Sequence, residues 1–159
     1  MSRASHWSFT QDDADAITRI LLNFLQETNS RSALLVDRSG QLVTTVGEQP
    51  QFDATAFATL AAADFSANDQ LAKLIGESDF TTLFHQGERD SMYVADVARR
   101  LILVVLFDQR TTLGLVRLRL KAAITDLNQV FSRPADAQPA DLGAHLLAGA
   151  EDDIDRLFS

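Results

Sequence analysis

The longest unbroken apolar run in the chain is Leu101 to Phe107, L-I-L-V-V-L-F, seven residues rich in β-branched types. It is too short for a membrane span or a free-standing helix, and it suits a strand buried on both faces. Polar, turn-forming residues follow from Asp108 to Thr112. The period then changes. Leu113, Val116, Leu120, Ile124 and Leu127 fall on one helical stripe, with Arg117 and Lys121 outside it. A central strand therefore feeds a last helix that runs from about Thr111 to Phe131, and Pro134 opposes its continuation.

The same reading places the other elements. Thr10 precedes Asp12, Asp13 and Asp15, an N-cap with an acidic first turn. Ile17, Ile20, Leu21, Phe24 and Leu25 continue it as a helix to about Glu27. Residues 33–37 and 41–46 form a hairpin around Arg38-Ser39-Gly40, with Gly40 free to take positive φ. Asp53 caps a long helix reaching about Glu77, near Gly76. Phe80–His85, Ser91–Val97 and Leu101–Phe107 are strands joined by tight turns, hence an antiparallel meander. The order α-β-β-α-β-β-β-α gives an α+β fold with a five-stranded antiparallel sheet. The strand at 101–107 should lie at its centre, and helix 53–77 should cross between the two strand sets.

The ends read differently. Residues 1–11 form a loose lead-in to a domain at 12–132, with Trp7 and Phe9 free or docked on the body. Residues 133–150 hold two prolines and two glycines without a period, which describes a flexible linker. The segment 151–159, E-D-D-I-D-R-L-F-S, spaces Ile154, Leu157 and Phe158 for one face of a short helix that is too short to stand alone.

Composition narrows the function classes. A chain of 159 residues suits one domain with a real core. Its net charge of -8 argues against general nucleic-acid binding. Cysteine is absent, so there is neither a disulfide framework nor thiol chemistry. No signal-like run opens the chain, and a cytoplasmic location is the expectation. His6, His85 and His145 are scattered without metal-site spacing, and phosphate-loop, dinucleotide and nucleophile-elbow motifs are missing. The expectation is a protein that is not an enzyme and holds no metal or cofactor.

Two features point to partners. In helix 53–77, Phe57, Leu60, Ala61, Leu71, Leu74 and Ile75 suffice for a face on the sheet, while alanines cover most of the rest. A helix apolar nearly all round wants burial on two sides, although alanine is also a good surface helix former. Arg99, Arg100, Arg110, Arg117, Arg119 and Lys121 gather basic charge around the last strand and helix. A solvated face or an acidic partner both account for it.

Three runs carry a resemblance: L-L-V-D-R-S-G-Q-L-V, L-A-K-L-I-G-E and F-D-Q-R-T-T-L-G-L-V-R-L-R-L-K. They resemble the bacterial roadblock proteins of the MglB type over about Ala33 to Phe131, and D-D-I-D-R-L-F-S resembles that family's end. The resemblance implies the roadblock, longin-related fold with the element order above. It implies a homodimer that pairs helix 53–77 and strand 80–85, and one small Ras-like GTPase of the MglA type bound per dimer. It also implies stimulated GTP hydrolysis without a supplied arginine finger, nucleotide exchange promoted by the C-terminal segment, and a role in cell polarity and motility at a cell pole. On this chain it places Ala63, Ala67, Leu71, Ala72, Lys73, Leu74 and Ile75 at the partner or dimer surface. Ile154, Leu157 and Phe158 become the tail's anchors. A roadblock scaffold without GTPase-activating activity is the alternative.

Overall fold

The computed structural model describes residues 10–78 and 81–132. Trp7, Phe9, His6, His145 and the tail anchors Ile154, Leu157 and Phe158 lie outside them. The elements are α1 (Gln11–Thr28), β1 (Ser32–Asp37), β2 (Leu42–Gly47), α2 (Ala54–Leu74), β3 (Thr82–Gln86), β4 (Ser91–Val97), β5 (Leu101–Phe107) and α3 (Leu113–Phe131). They build one five-stranded sheet in the order β2-β1-β5-β4-β3, with every neighbouring pair antiparallel. The apolar run at 101–107 is the central strand, and Leu101 to Val105 are buried.

Local chemistry sets the boundaries. The Thr10 hydroxyl accepts from the Asp13 N–H at 3.0 Å and starts α1, while Asn29 ends it in the left-handed region at φ 58°. The β1–β2 turn is organised by the buried Asp37, whose Oδ1 accepts from the N–H groups of Ser39 and Gln41, both at 3.0 Å. Gly40 closes that turn at φ 101°. Thr112 caps α3 by accepting from the Leu115 N–H at 3.2 Å, so the helix begins at Leu113 rather than Thr111. α2 stops at Leu74, three residues short of the expected end. Gly76, at φ 90°, lets the Glu77 N–H reach back to the Ala72 carbonyl at 2.9 Å. β3 begins at Thr82 rather than Phe80, and residues 79 and 80 are not among the described ones.

Strand alternation sends side chains to two faces. Leu101, Leu103, Val105 and Phe107 point to the side covered by α1 and α3, where Leu21, Phe24, Val116, Leu120 and Leu127 meet them. Ile102 and Val104, with Leu34, Val36 and Val94, point to the opposite side, covered by α2.

Candidate functional site: the outer face of α2 and the β3 edge

The side chains that α2 turns to the sheet are mostly small: Ala58, Ala61, Ala62, Phe65, Asn68 and Ala72. This overturns the face expected from the sequence. Of the six residues assigned to the sheet, Leu60, Leu71, Leu74 and Ile75 are 68, 58, 81 and 70 % exposed, and only Ala61 is buried. The cause is volume. The strands already supply Leu34, Val36, Ile102 and Val104, so the helix comes close through alanines and anchors with one large ring, Phe65.

The outward face is consequently apolar. Ala56, Leu60, Ala63, Ala67, Leu71 and Leu74 are all exposed and recur at spacings of three and four, one stripe along the whole helix. Leaving four large side chains in water forgoes roughly 1.5–3 kcal/mol each relative to full burial. Of the residues placed at a partner surface, Ala63, Ala67, Leu71, Lys73, Leu74 and Ile75 are exposed. Ala72 is 0 % exposed, packed inward, and offers no surface.

β3 borders the same face. It pairs with β4 alone, so its other edge carries unpaired backbone groups. His85 Nε2 lies 2.7 Å from Asp64 Oδ2, tying the edge strand to α2. Arg38 holds α2 from the other end of the sheet. Its Nη1 donates to Asp69 Oδ2 at 3.0 Å, Nη2 pairs with Asp96, and the guanidinium lies 5.1 Å from the Phe65 ring centroid. The Asn68 Nδ2 is buried on this side without an acceptor among the described residues.

The basic cluster seen in the sequence is split by the fold. Arg110 belongs to a network: Nε lies 2.9 Å from Asp108 Oδ1, and Nη2 lies 3.0 Å from Glu48 Oε2. Arg31 reaches Asp90 at 2.7 Å and Glu48 at 3.0 Å. Hydrogen bonding to Arg110, then to Arg31, holds the Glu48 carboxyl below its ordinary range, and Arg110 does the same to Asp108. Asp108 raises the Arg110 guanidinium in return. The F-D-Q-R-T-T run thus shapes the β5–α3 corner, with Asp108 accepting from the Arg110 N–H at 3.0 Å and Thr112 as helix cap. Arg117, Arg119 and Lys121 are exposed on α3.

The site is thus an exposed apolar helix face beside an open strand edge. Residues 17–107 match the Roadblock/LC7 domain. The chain belongs to the Roadblock/LC7 family. Within that family its solved likenesses include MglB proteins. Myxococcus xanthus MglB is 42 % identical with a TM-score of 0.71, over 74 % of this chain and 96 % of that one. The gliding protein MglB of Thermus thermophilus is 34 % identical with a TM-score of 0.72, over 77 % of this chain and 93 % of that one. An MglB with a tetrameric arrangement is 34 % identical with a TM-score of 0.70, over 77 % of this chain and 92 % of that one. As a roadblock protein of the MglB type, the chain has the element order and single five-stranded antiparallel sheet expected of the fold. Among its described residues no helix is long and apolar enough to cross a membrane, and no three His, Asp or Glu side chains converge to hold a metal.

Proposed function

We propose that this roadblock protein is a homodimer that binds a small Ras-like GTPase of the MglA type and stimulates its GTP hydrolysis, in the service of cell polarity and motility. The observation that carries the reading is the exposed stripe of α2, continuous from Ala56 to Leu74 on a protein of MglB type. Exposed apolar surfaces of this extent mark interaction sites. The β3 edge beside it is suited to pair with the same strand of a second copy, extending the sheet across a two-fold axis. The joined pair of α2 helices then offers Ala63, Ala67, Leu71, Lys73, Leu74 and Ile75 to one GTPase per dimer. The tail anchors Ile154, Leu157 and Phe158 add contacts that promote nucleotide exchange.

The reading supplies no arginine finger. Arg110 is committed to Asp108 and Glu48. A supplied finger contributes ~10³–10⁵ in rate. Alanine at Arg99, Arg100 or Arg110 should therefore leave stimulated hydrolysis within roughly tenfold, ~1.4 kcal/mol of transition-state stabilisation. Phosphate release from a GTP-loaded Ras-like partner, with this protein titrated in, is the test. Wild-type protein should accelerate release, and Ala67→Arg with Leu71→Arg should remove the acceleration and weaken the dimer by ~100-fold or more, since two charges would be desolvated. A partner that binds but hydrolyses GTP no faster would make this a scaffold instead. A thousandfold loss from one arginine with binding intact would place a finger in this chain.

A further inference from the structure

α3 carries a large apolar side chain that neither the core nor the α2 surface uses. Leu118 is 63 % exposed, turned away from the stripe of Val116, Leu120, Ala123 and Leu127. Ala122, one turn on, is exposed on the same side. Arg117, Arg119 and Lys121 rim the pair, all exposed and none with an ion pair among the described residues. Arg31, Arg38 and Arg110 show the opposite habit, each holding two carboxylates. Three cations within five residues, without an ion pair among the described residues, repel one another in a chain whose net charge is -8. An anionic, partly apolar occupant would relieve both the charge and the exposed leucine.

The chain carries a segment of matching chemistry. Glu151, Asp152, Asp153 and Asp155 stand against Arg156 alone, a net -3 opposite the +3 of Arg117, Arg119 and Lys121. Ile154, Leu157 and Phe158 share one face at helical spacing. We infer that residues 151–159 seat on the Leu118 face of α3 in the same chain. The three apolar side chains cover Leu118 and Ala122, and the acidic ones lie along the basic rim.

The tether length fits this seat. Leu118 lies thirteen residues before Phe131, or about 20 Å along the helix. Eighteen residues, 133–150, can reach at most ~60 Å when fully extended, which is enough to bridge that distance. A tether that spans the distance makes the contact intramolecular, so a weak contact suffices to hold the segment. Exposed ion pairs add little each, and the seat is correspondingly easy to vacate. α3 and α2 cover opposite faces of the sheet, so a segment on α3 is stored away from the α2 stripe. That it is stored for a GTPase rests on the proposed function; the seat itself does not.

The absence of cysteine makes the test direct. A nitroxide placed on full-length protein through Ser159→Cys should broaden the amide resonances of residues 115–125, with roughly a twofold or greater loss of intensity that reduction of the nitroxide restores. Amides of 60–74 in α2 should be unaffected. The broadening should vanish in Arg117→Glu/Arg119→Glu/Lys121→Glu, and also in Leu118→Ser and in Ile154→Ser/Leu157→Ser/Phe158→Ser, the amide spectrum itself reporting that each variant is folded. No broadening at α3, broadening that survives the charge reversal, or broadening centred on α2 would each overturn the assignment. So would broadening of isotope-labelled, untagged protein by tagged, unlabelled protein, which would mean that the segment reaches a second copy. None of these measurements contains a GTPase, so the seat can fail while the proposed function stands, and the reverse.

Discussion

The two faces of the sheet are covered by different means. On the α1 and α3 side, two amphipathic helices deliver large side chains, among them Leu21, Phe24, Leu120 and Leu127, onto Leu101, Leu103 and Val105. On the α2 side one helix rests on alanines and a single phenylalanine, and turns its leucines to solvent. Polar ties compensate: Arg38 to Asp69 and Asp96, and Thr59 Oγ1 donating to the Gly40 carbonyl at 3.4 Å. The first face is complete within one chain. The second leaves Leu60, Leu71 and Leu74 in solvent. Each face of the sheet has its own buried cluster, and they differ in what the covering helix leaves outside: on α2 the residues left outside are its leucines.

The sharpest way to break that contrast is to truncate one large residue on each side. Phe24→Ala should cost ~3–5 kcal/mol in urea unfolding, a cavity in a packed core. Leu74→Ala, measured in the monomeric Ala67→Arg/Leu71→Arg background, should stay within ~0.5 kcal/mol, as surface substitutions do. The same Leu74→Ala in the otherwise native chain should raise the dissociation constant seen by sedimentation. Equal losses of monomer stability from the two substitutions would mean that α2's leucines are core after all.

The contrast also explains what could be read in advance. α1 and α3 are legible because each has one stripe of large residues; Thr10 marks the start of α1, whereas the Thr112 cap of α3 is set apart from Thr111 only by its hydrogen bond to Leu115. The turn at Arg38-Ser39-Gly40 is legible from its turn residues and Gly40, while the role of the buried Asp37 in holding it is shown by the structure. α2 has two stripes at the same period, one of alanines with Phe65 and one of leucines with alanines. Hydropathy favours the leucines for the core; the bulk of the strand side chains decides for the alanines. Ala72 was misplaced for the same reason, since a run such as L-A-K-L-I marks a helix end without saying which way each residue turns. Arg38 could not be found from the sequence, because Asp69 and Asp96 lie 31 and 58 residues away. Leu118 stands off the α3 stripe between Arg117 and Arg119, so no period in the sequence marks it.

A smaller effect sharpens the account of α2 itself. If polar ties hold this helix where apolar packing is thin, Arg38→Ala should loosen α2 more than the rest. The pairs are about one-third and one-fifth exposed, so solvent screening limits the cost to ~1 kcal/mol. Hydrogen exchange should show the loss concentrated in the amides of 58–72, with α1 and α3 nearly unchanged. Uniform acceleration over all three helices would mean that α2 is no less firmly packed than the others.

The smallest effect belongs to the opposite corner, where Arg31 and Arg110 bind Glu48, Asp90 and Asp108. Arg110, then Arg31, depresses the Glu48 carboxyl from its ordinary 4.5, and Arg110 depresses Asp108 from 3.8. A carboxyl whose folded pKa lies below its unfolded one binds fewer protons in the native state over the interval between them. Its contribution is therefore complete above the ordinary values and is lost as pH falls through the depressed ones. Thermal unfolding followed from pH 7 downward should show a stability term that is flat to about pH 5 and declines below it. Because the network is solvent-exposed, the decline should be shallow and should flatten further in high salt, where exposed charges are screened beyond ~3 Å at about 1 M. Glu48→Gln should remove part of the slope between pH 5 and the acid limit without changing α2's hydrogen exchange, because Glu48, just after β2, pairs with Arg31 and Arg110, neither of which is on α2. An acid slope that Glu48→Gln leaves whole, or one that appears first in α2, would move the acid-sensitive ties to the Arg38 side and reverse the assignment of the two corners.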